Sequence, residues 1–355
     1  MIFSTGLLVA YMAVSISGQL STDISFLESV ADVLISVVGT VNSFNGPASI
    51  SHAPTSPASN KRATQANVRY YNNYAQASYC SNQLKTLGCL PCMGFKKDIN
   101  TNNGVAVFKN ILFNTLAFVT VSDSRKEIAV TFRGTIVDLR NYLLDAAFFN
   151  VGFGNIKFHF GFYVATMSLY NNVIQAIGYQ LQQHPTYKLV IIGHSLGGAM
   201  ARLTAFFIKI NYQFPGATIE LYTYGEPRVG NKAFADYCNS WNILSARCVN
   251  KNDVVPHVPP TSLLGTDLLY NFYVHPQLEV WIQSDRITNC NDKFYEDPAC
   301  SDISDPSYTI DDHINYFNVT STVCGEVVMP AFLPMIPPAL PTKIVNFAGG
   351  AIRFQ

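Results

Sequence analysis

The heptapeptide GHSLGGA at residues 193–199 constrains this chain more than any other stretch. It follows the apolar run YKLVII at 187–192 and precedes MARLTAFFIKI at 200–210. A serine therefore stands where a strand gives way to a helix. G-x-S-x-G in that setting is the pattern of a nucleophile elbow. The turn is so tight that its serine must take strained backbone angles. Glycines at 193 and 197 let strand and helix approach with no β-carbon between them. Ser195 is then held above the sheet at a helix start, with the backbone N–H of Leu196 aimed where an oxyanion would form.

The surrounding pattern supplies the scaffold such a turn needs. TLAFVTVS at 115–122 and IAVTF at 128–132, separated by the polar turn DSRKE, read as paired strands. Residues 162–182 have helical spacing, 188–192 form a strand, and 195–212 form a helix with Leu203, Phe206, Phe207 and Ile210 inward. Residues 219–224 and 244–250 add two more strands. Strands alternating with helices predict an α/β fold built on a mainly parallel sheet.

A serine hydroxyl needs a base, and the base needs an orienting acid; in this fold the chain order is serine, acid, histidine. Of seven histidines (52, 159, 184, 194, 257, 275 and 313), only His257, His275 and His313 follow the serine far enough to leave room for an acid. Asp253 lies just past the strand at 244–250, where the acid belongs. His257 is four residues from Asp253 and His275 sits in a strand-like YVHP. His313, in DDHINYF after a polar loop, has enough chain to fold back over the serine and is the preferred base.

The ends of the chain speak of export. Residues 2–16 are apolar and uncharged, and Ser15, Ser17 and Gly18 suit cleavage of a signal peptide spanning 1–18. Residues 19–62 contain the Ser/Pro/Asn-rich stretch SFNGPASISHAPTSPASNKR and read as a propeptide, cut after Lys61-Arg62, or as a linker. The catalytic domain is expected over 63–324 and an apolar extension with five prolines over 325–355. No other stretch reaches the ~18 uninterrupted apolar residues of a membrane span. With 23 basic and 23 acidic residues and no basic run, a nucleic-acid partner is not expected. Eight cysteines, an even number, suggest disulfides in a secreted chain. Asn318-Val-Thr320 is a glycosylation sequon.

Six motifs now stand in order: FRGT at 132–135, HFGF at 159–162, GHSLGGA, GEPRVGN at 225–231, NDVVPHVPP at 252–260 and DHINYF at 312–317. Together they resemble the fungal class 3 triacylglycerol lipases, a Rhizomucor-like group that also includes feruloyl esterases, over about residues 67–324. The resemblance implies an α/β-hydrolase fold with a short helical lid. It makes Ser195 the nucleophile, Asp253 the acid and His313 the base. Thr135, the hydroxy residue after F-R-G, joins Leu196 as an oxyanion donor. The family's arrangement implies the pairs Cys80–Cys324, Cys89–Cys92 and Cys290–Cys300, which leaves Cys238–Cys248 as a local pair. The chain departs from the family in a segment after Thr135 that is one residue longer, in Tyr142 where the lid usually carries Trp, and in its long tail.

At helical spacing Ile136, Leu139, Tyr142 and Leu143 share one face of the segment after Thr135, with Asp138, Asn141 and Asp145 opposite. An amphipathic lid of that kind suits lipid at an oil–water interface and favours a lipase over a feruloyl esterase. The expected activity is ester hydrolysis through an acyl-enzyme by a secreted monomer, with neither metal nor organic cofactor. The rivals are an esterase acting on soluble esters and a catalytically silent binder of lipid or cell wall.

Overall fold

The computed structural model describes residues 60–100, 104–135, 150–261, 273–284, 286–302 and 307–325. The expected signal peptide, most of the segment before Arg62, the expected lid residues Ile136, Leu139, Tyr142 and Leu143, and the tail beyond residue 325 lie outside the described residues. In chain order the elements are β1 (Lys61–Arg62), α1 (Gln65–Ala77), β2 (Ala106–Asn110), β3 (Thr115–Ser122), β4 (Glu127–Phe132), β5 (Asn150–Phe153) and β6 (Ile156–His159). There follow α2 (Phe160–Gln183), β7 (Lys188–His194), α3 (Leu196–Ile210), β8 (Ile219–Tyr224), α4 (Lys232–Asn239) and β9 (Leu244–Asn250). The described chain ends with β10 (Glu279–Ile282), β11 (Ile287–Asn289), α5 (Ile310–Ile314), β12 (Asn315–Tyr316) and β13 (Val319–Thr320).

The central sheet runs β11-β10-β9-β8-β7-β4-β3-β2. Strands β4, β7, β8, β9 and β10 are parallel; at the two edges the pairs β4–β3, β3–β2 and β10–β11 are antiparallel. Such a sheet must be covered on both faces, so its central strands read as unbroken apolar runs. In β7, Leu189 and Ile191 enter the core layer beneath α2, α3 and α4, while Val190 and Ile192 enter the layer beneath α1. Truncating Ile191, which is fully buried, to Ala is expected to cost about 2–5 kcal/mol.

Helix α3 is buried almost throughout, not only on the face of Leu203, Phe206, Phe207 and Ile210, because it sits between the sheet and α2. Helix α1 has no predicted counterpart. Its sequence, QANVRYYNNYAQA, is rich in asparagine and tyrosine, which are indifferent helix formers. Packing of Val68, Tyr71 and Ala75 on the sheet carries it, and Thr64 caps it by accepting from the Asn67 N–H at 3.2 Å. Lys61 and Arg62 pair with Leu244 and Ser245 at the start of β9, and the Arg62 guanidinium donates to the backbone carbonyls of Glu279 and Cys290 and meets Asp292.

Three of the four expected disulfides form: Cys80–Cys324, Cys89–Cys92 and Cys290–Cys300. The fourth does not. Cys238 and Cys248 are both free and buried. Cys238, on α4, belongs to the layer that holds α2 and α3, whereas Cys248, on β9, points into the layer under α1. The sheet separates them. Nearness in sequence was misleading because the β-strand alternation turns residue 248 to the far face.

Candidate active site

Ser195 sits between β7 and α3 at φ 60°, ψ −132°, outside the helix it precedes. A β-carbon at residue 193 would lie 2.0 Å from the Gly197 carbonyl oxygen, and one at residue 197 would lie 2.2 Å from that of Phe132. Both neighbours are backbone and have no rotamer to escape into. The two glycines are what allow α3 to begin directly over the sheet. Leu196 is the first residue of α3, so its N–H has no acceptor within the helix and faces the turn. Thr135 stands three residues past the end of β4, the strand beside β7. Gly134 packs against the nucleophile: a β-carbon there would come within 2.7 Å of Ser195 Cβ.

Asp253 and His313 are brought together 60 residues apart. His313 Nδ1–H donates to both carboxylate oxygens of Asp253, at 2.9 and 3.0 Å. Tyr316 Oη donates to Oδ2 at 2.6 Å and the Val255 N–H to Oδ1 at 2.8 Å. Burial alone would raise the Asp253 carboxyl; the adjacent imidazole, its hydrogen bonds and those of Tyr316 and Val255 outweigh it and hold the group below the ordinary range. Gly225, at φ 57°, leaves room for the pair, since a β-carbon there would meet Asp253 Oδ2 and His313 Nδ1 at 2.7 Å each. The carboxylate fixes the proton on Nδ1, so neutral His313 presents Nε2 as an acceptor.

The other two histidines go elsewhere. His275 is buried with Nε2 on the Pro256 carbonyl oxygen at 2.8 Å, and His257 lies 3.7 Å from Asp302 and stacks on Tyr308. Asn250, at the end of β9, donates to the carbonyls of Asp312 and Asn315 at 2.9 and 2.7 Å and so pins the backbone on both sides of His313. Nothing in the sequence marked Asn250 for that task, nor Tyr316 for its bond to the acid. Only their places beside the motifs could have drawn attention to them. Asn318 is exposed in the turn between β12 and β13.

Ser195 Oγ, His313 Nε2 and the Thr135 hydroxyl are buried and have no hydrogen-bond partner among the described residues. Buried polar atoms are ordinarily paired, so these three, beside the C-terminal ends of the interior strands β4, β7 and β9, are open to a substrate. Ser195 and His313 are not hydrogen-bonded to each other here, a bond that in many hydrolases tightens only around substrate. The Glu279 carboxylate lies beside Cys290 and Cys300, but those two sulfurs are joined in a disulfide and are not available to a metal.

A parallel-centred sheet, a strained serine between strand and helix, and a buried acid–histidine pair at the next strand ends define the α/β-hydrolase class. The family model described as Lipase (class 3) matches residues 126–263, and the chain belongs to that family. It is 29% identical to a lipase of Rhizomucor miehei over 296 residues, covering 80% of this chain and 78% of the relative. It is 29% identical over 302 residues to a secreted mono- and diacylglycerol lipase of Fusarium solani, covering 80% and 84%. The solved structure of lipase II from Rhizopus niveus superposes with a TM-score of 0.65 at 32% identity, covering 74% of this chain and 98% of that one.

Proposed function

We propose that Ser195, Asp253 and His313 are a catalytic triad that hydrolyses carboxylic esters of triacylglycerols at a lipid–water interface. The observation that carries this reading is the pair of buried, partnerless atoms, Ser195 Oγ and His313 Nε2, with His313 held from behind by Asp253. His313 takes the Ser195 proton as Oγ attacks the ester carbonyl, and Asp253 stabilises the resulting imidazolium. Thr135 and the Leu196 N–H receive the oxyanion, each donor worth about 10²–10³ in rate. His313 returns the proton to the leaving alcohol, and water repeats the cycle on the acyl-enzyme. The relatives named lipase and acylglycerol lipase support glycerol esters as the substrate class.

The segment after Thr135, outside the described residues, serves as the lid in this reading, and the enzyme is exported. Three disulfides suit an oxidising compartment, a relative is named as secreted, and no helix among the described residues is long and apolar enough to cross a membrane. Removal of 19–62 after Arg62 requires β1 to leave the edge of β9; N-terminal sequencing of secreted protein tests it, and a start near Gln19 argues for a retained linker. The function is tested by a fluorophosphonate probe and an emulsified triacylglycerol. Labelling at Ser195, a loss of about 10⁴–10⁶ in kcat for Ser195→Ala, and a rate that climbs above the solubility limit are expected. An unlabelled serine overturns the hydrolase. Labelling without the climb points to an esterase for soluble substrates.

A further inference from the structure

The residue before the nucleophile, His194, is fully buried and takes no part in the triad. Its Nε2 lies 2.8 Å from the backbone carbonyl oxygen of His313, and its ring stacks on the His313 ring at 4.5 Å. A carbonyl only accepts, so Nε2 carries the proton. Nδ1 is then an acceptor, and it receives the hydroxyl proton of Tyr79 at 2.6 Å. Tyr79 is buried just past the end of α1, and its hydroxyl packs against Gly134. Gly134 precedes the oxyanion residue Thr135, and a β-carbon on it would lie 2.2 Å from the Tyr79 hydroxyl. One directed chain therefore runs from the Tyr79 O–H, seated against Gly134, through His194 to the His313 C=O.

We propose that Tyr79 and His194 are positioning residues that fix the distance between the oxyanion loop and the catalytic base. This rests on the triad reading above. The two parts of the site come from different segments: Gly134 follows β4, while His313 arrives on the short helix α5 from near the end of the described chain. The Asp253 carboxylate orients the imidazole of His313 but not the backbone that carries it. His194 holds that backbone, from a residue covalently joined to the nucleophile. It does so uncharged, because burial and the neighbouring His313 push its imidazole down to about 3. An uncharged ring can stack on His313 without repelling the imidazolium that forms when Ser195 gives up its proton.

The variants differ by single atoms. In His194→Gln the amide nitrogen reaches the place of Nε2 and can still donate to the His313 carbonyl; in His194→Asn the shorter side chain reaches only the place of Nδ1. Tyr79→Phe removes one oxygen. On a soluble p-nitrophenyl ester, His194→Asn is expected to lower kcat by about 10–100-fold with KM changed less than about 3-fold, since a displacement near 1 Å costs that much. His194→Gln should recover most of the loss. Tyr79→Phe should lie between, and Tyr79→Phe/His194→Asn should be no worse than His194→Asn alone, because members of one chain are not additive. Melting temperature and the fluorophosphonate labelling rate are followed in each variant. Equal activities of His194→Gln and His194→Asn, or additive losses in the double variant, overturn the proposal. So does a kcat loss that merely follows the melting temperature. Ser195→Ala, run beside them, reports separately on the triad: residual labelling there sinks the triad and not the tether alone.

Discussion

The proposed nucleophile and the proposed base are built by opposite means. Ser195 is placed by about ten consecutive residues: β7, two glycines and the first turn of α3. His313 is placed by four side chains, Asn250 and Asp253 at the end of β9, Tyr316 three residues past the base itself and His194 at the end of β7, each through one or two hydrogen bonds. The elbow is rigid because its neighbours are backbone. The base is rigid only as long as every side chain around it is paired. Loss of the elbow should therefore be lost folding, whereas loss around the base should be lost rate or lost tolerance to conditions.

Gly197→Val is the strongest way to break that comparison. Its β-carbon would meet Phe132 backbone at 2.2 Å, in the middle of the sheet's most buried junction. No folded protein is expected, seen as absence of a cooperative melt by circular dichroism. A variant that folds within a few degrees of the natural chain would show that the elbow yields as readily as the base loop.

Next comes the Cys80–Cys324 bond, which closes a loop of 244 residues around both regions. Constraint of the unfolded chain over such a loop contributes about 5 kcal/mol in the chain-entropy account. Cys324 follows the base by eleven positions. The Cys80→Ser/Cys324→Ser variant should lose about that much in urea unfolding, and kcat should fall before the sheet melts on heating. Simultaneous loss of both signals would mean that the base loop is no looser than the elbow.

Acid sharpens the contrast further. Folded His194 titrates at about 3, against about 6.5 for an unfolded histidine. Between those values the unfolded chain binds a proton that the folded one refuses, so this contribution to stability is complete above pH 6.5 and disappears as pH falls toward 3. It amounts to at most about 5 kcal/mol. Asp253, whose folded carboxyl is held below the ordinary 3.8, loses its own contribution only as pH falls through that value, so it adds little between pH 7 and pH 4. Urea midpoints at pH 7 and pH 4 should converge in His194→Gln relative to the natural chain, with buried, neutral His275 supplying the remaining slope. An unchanged difference would place His194 in contact with solvent.

These contrasts also explain which parts were legible in the sequence. β3, β8 and β9 have the predicted limits, and β7 runs two residues further than predicted, because both faces of each are covered and the residues say so. The elbow was legible because its demands are local: glycine, serine, glycine at fixed offsets. Asp253 and His313 were reachable from chain order and motif, but His257 and His275 were separated from them only by where the chain folds. Helix α1, Tyr79 and Asn250 left no mark, since a tyrosine-rich amphipathic stretch and a strand-end asparagine owe their importance to partners up to 244 residues away. The pairing of Cys238 with Cys248 failed for the same reason: a count of ten residues says nothing about which face of a sheet each one meets.

Those two thiols give the gentlest measurement. Cys238 and Cys248 are buried on opposite sides of the sheet, and burial pushes both thiols well above their ordinary range. The thiolate is the reactive form, so a maleimide should modify neither in the native protein. In denaturant without reductant it should modify both, while the six bonded cysteines stay closed. Cys248→Ala should cost only about 1 kcal/mol, because a small apolar contact is lost and no cross-link. A denatured chain that takes up no maleimide would mean a fourth bond after all. Residue 248 would then face α4, β9 would slip by one residue, and Asp253, three residues past its end, would be carried away from His313. The accessible thiol count thus reports, at the smallest cost in stability, on the register that brings the acid to the base.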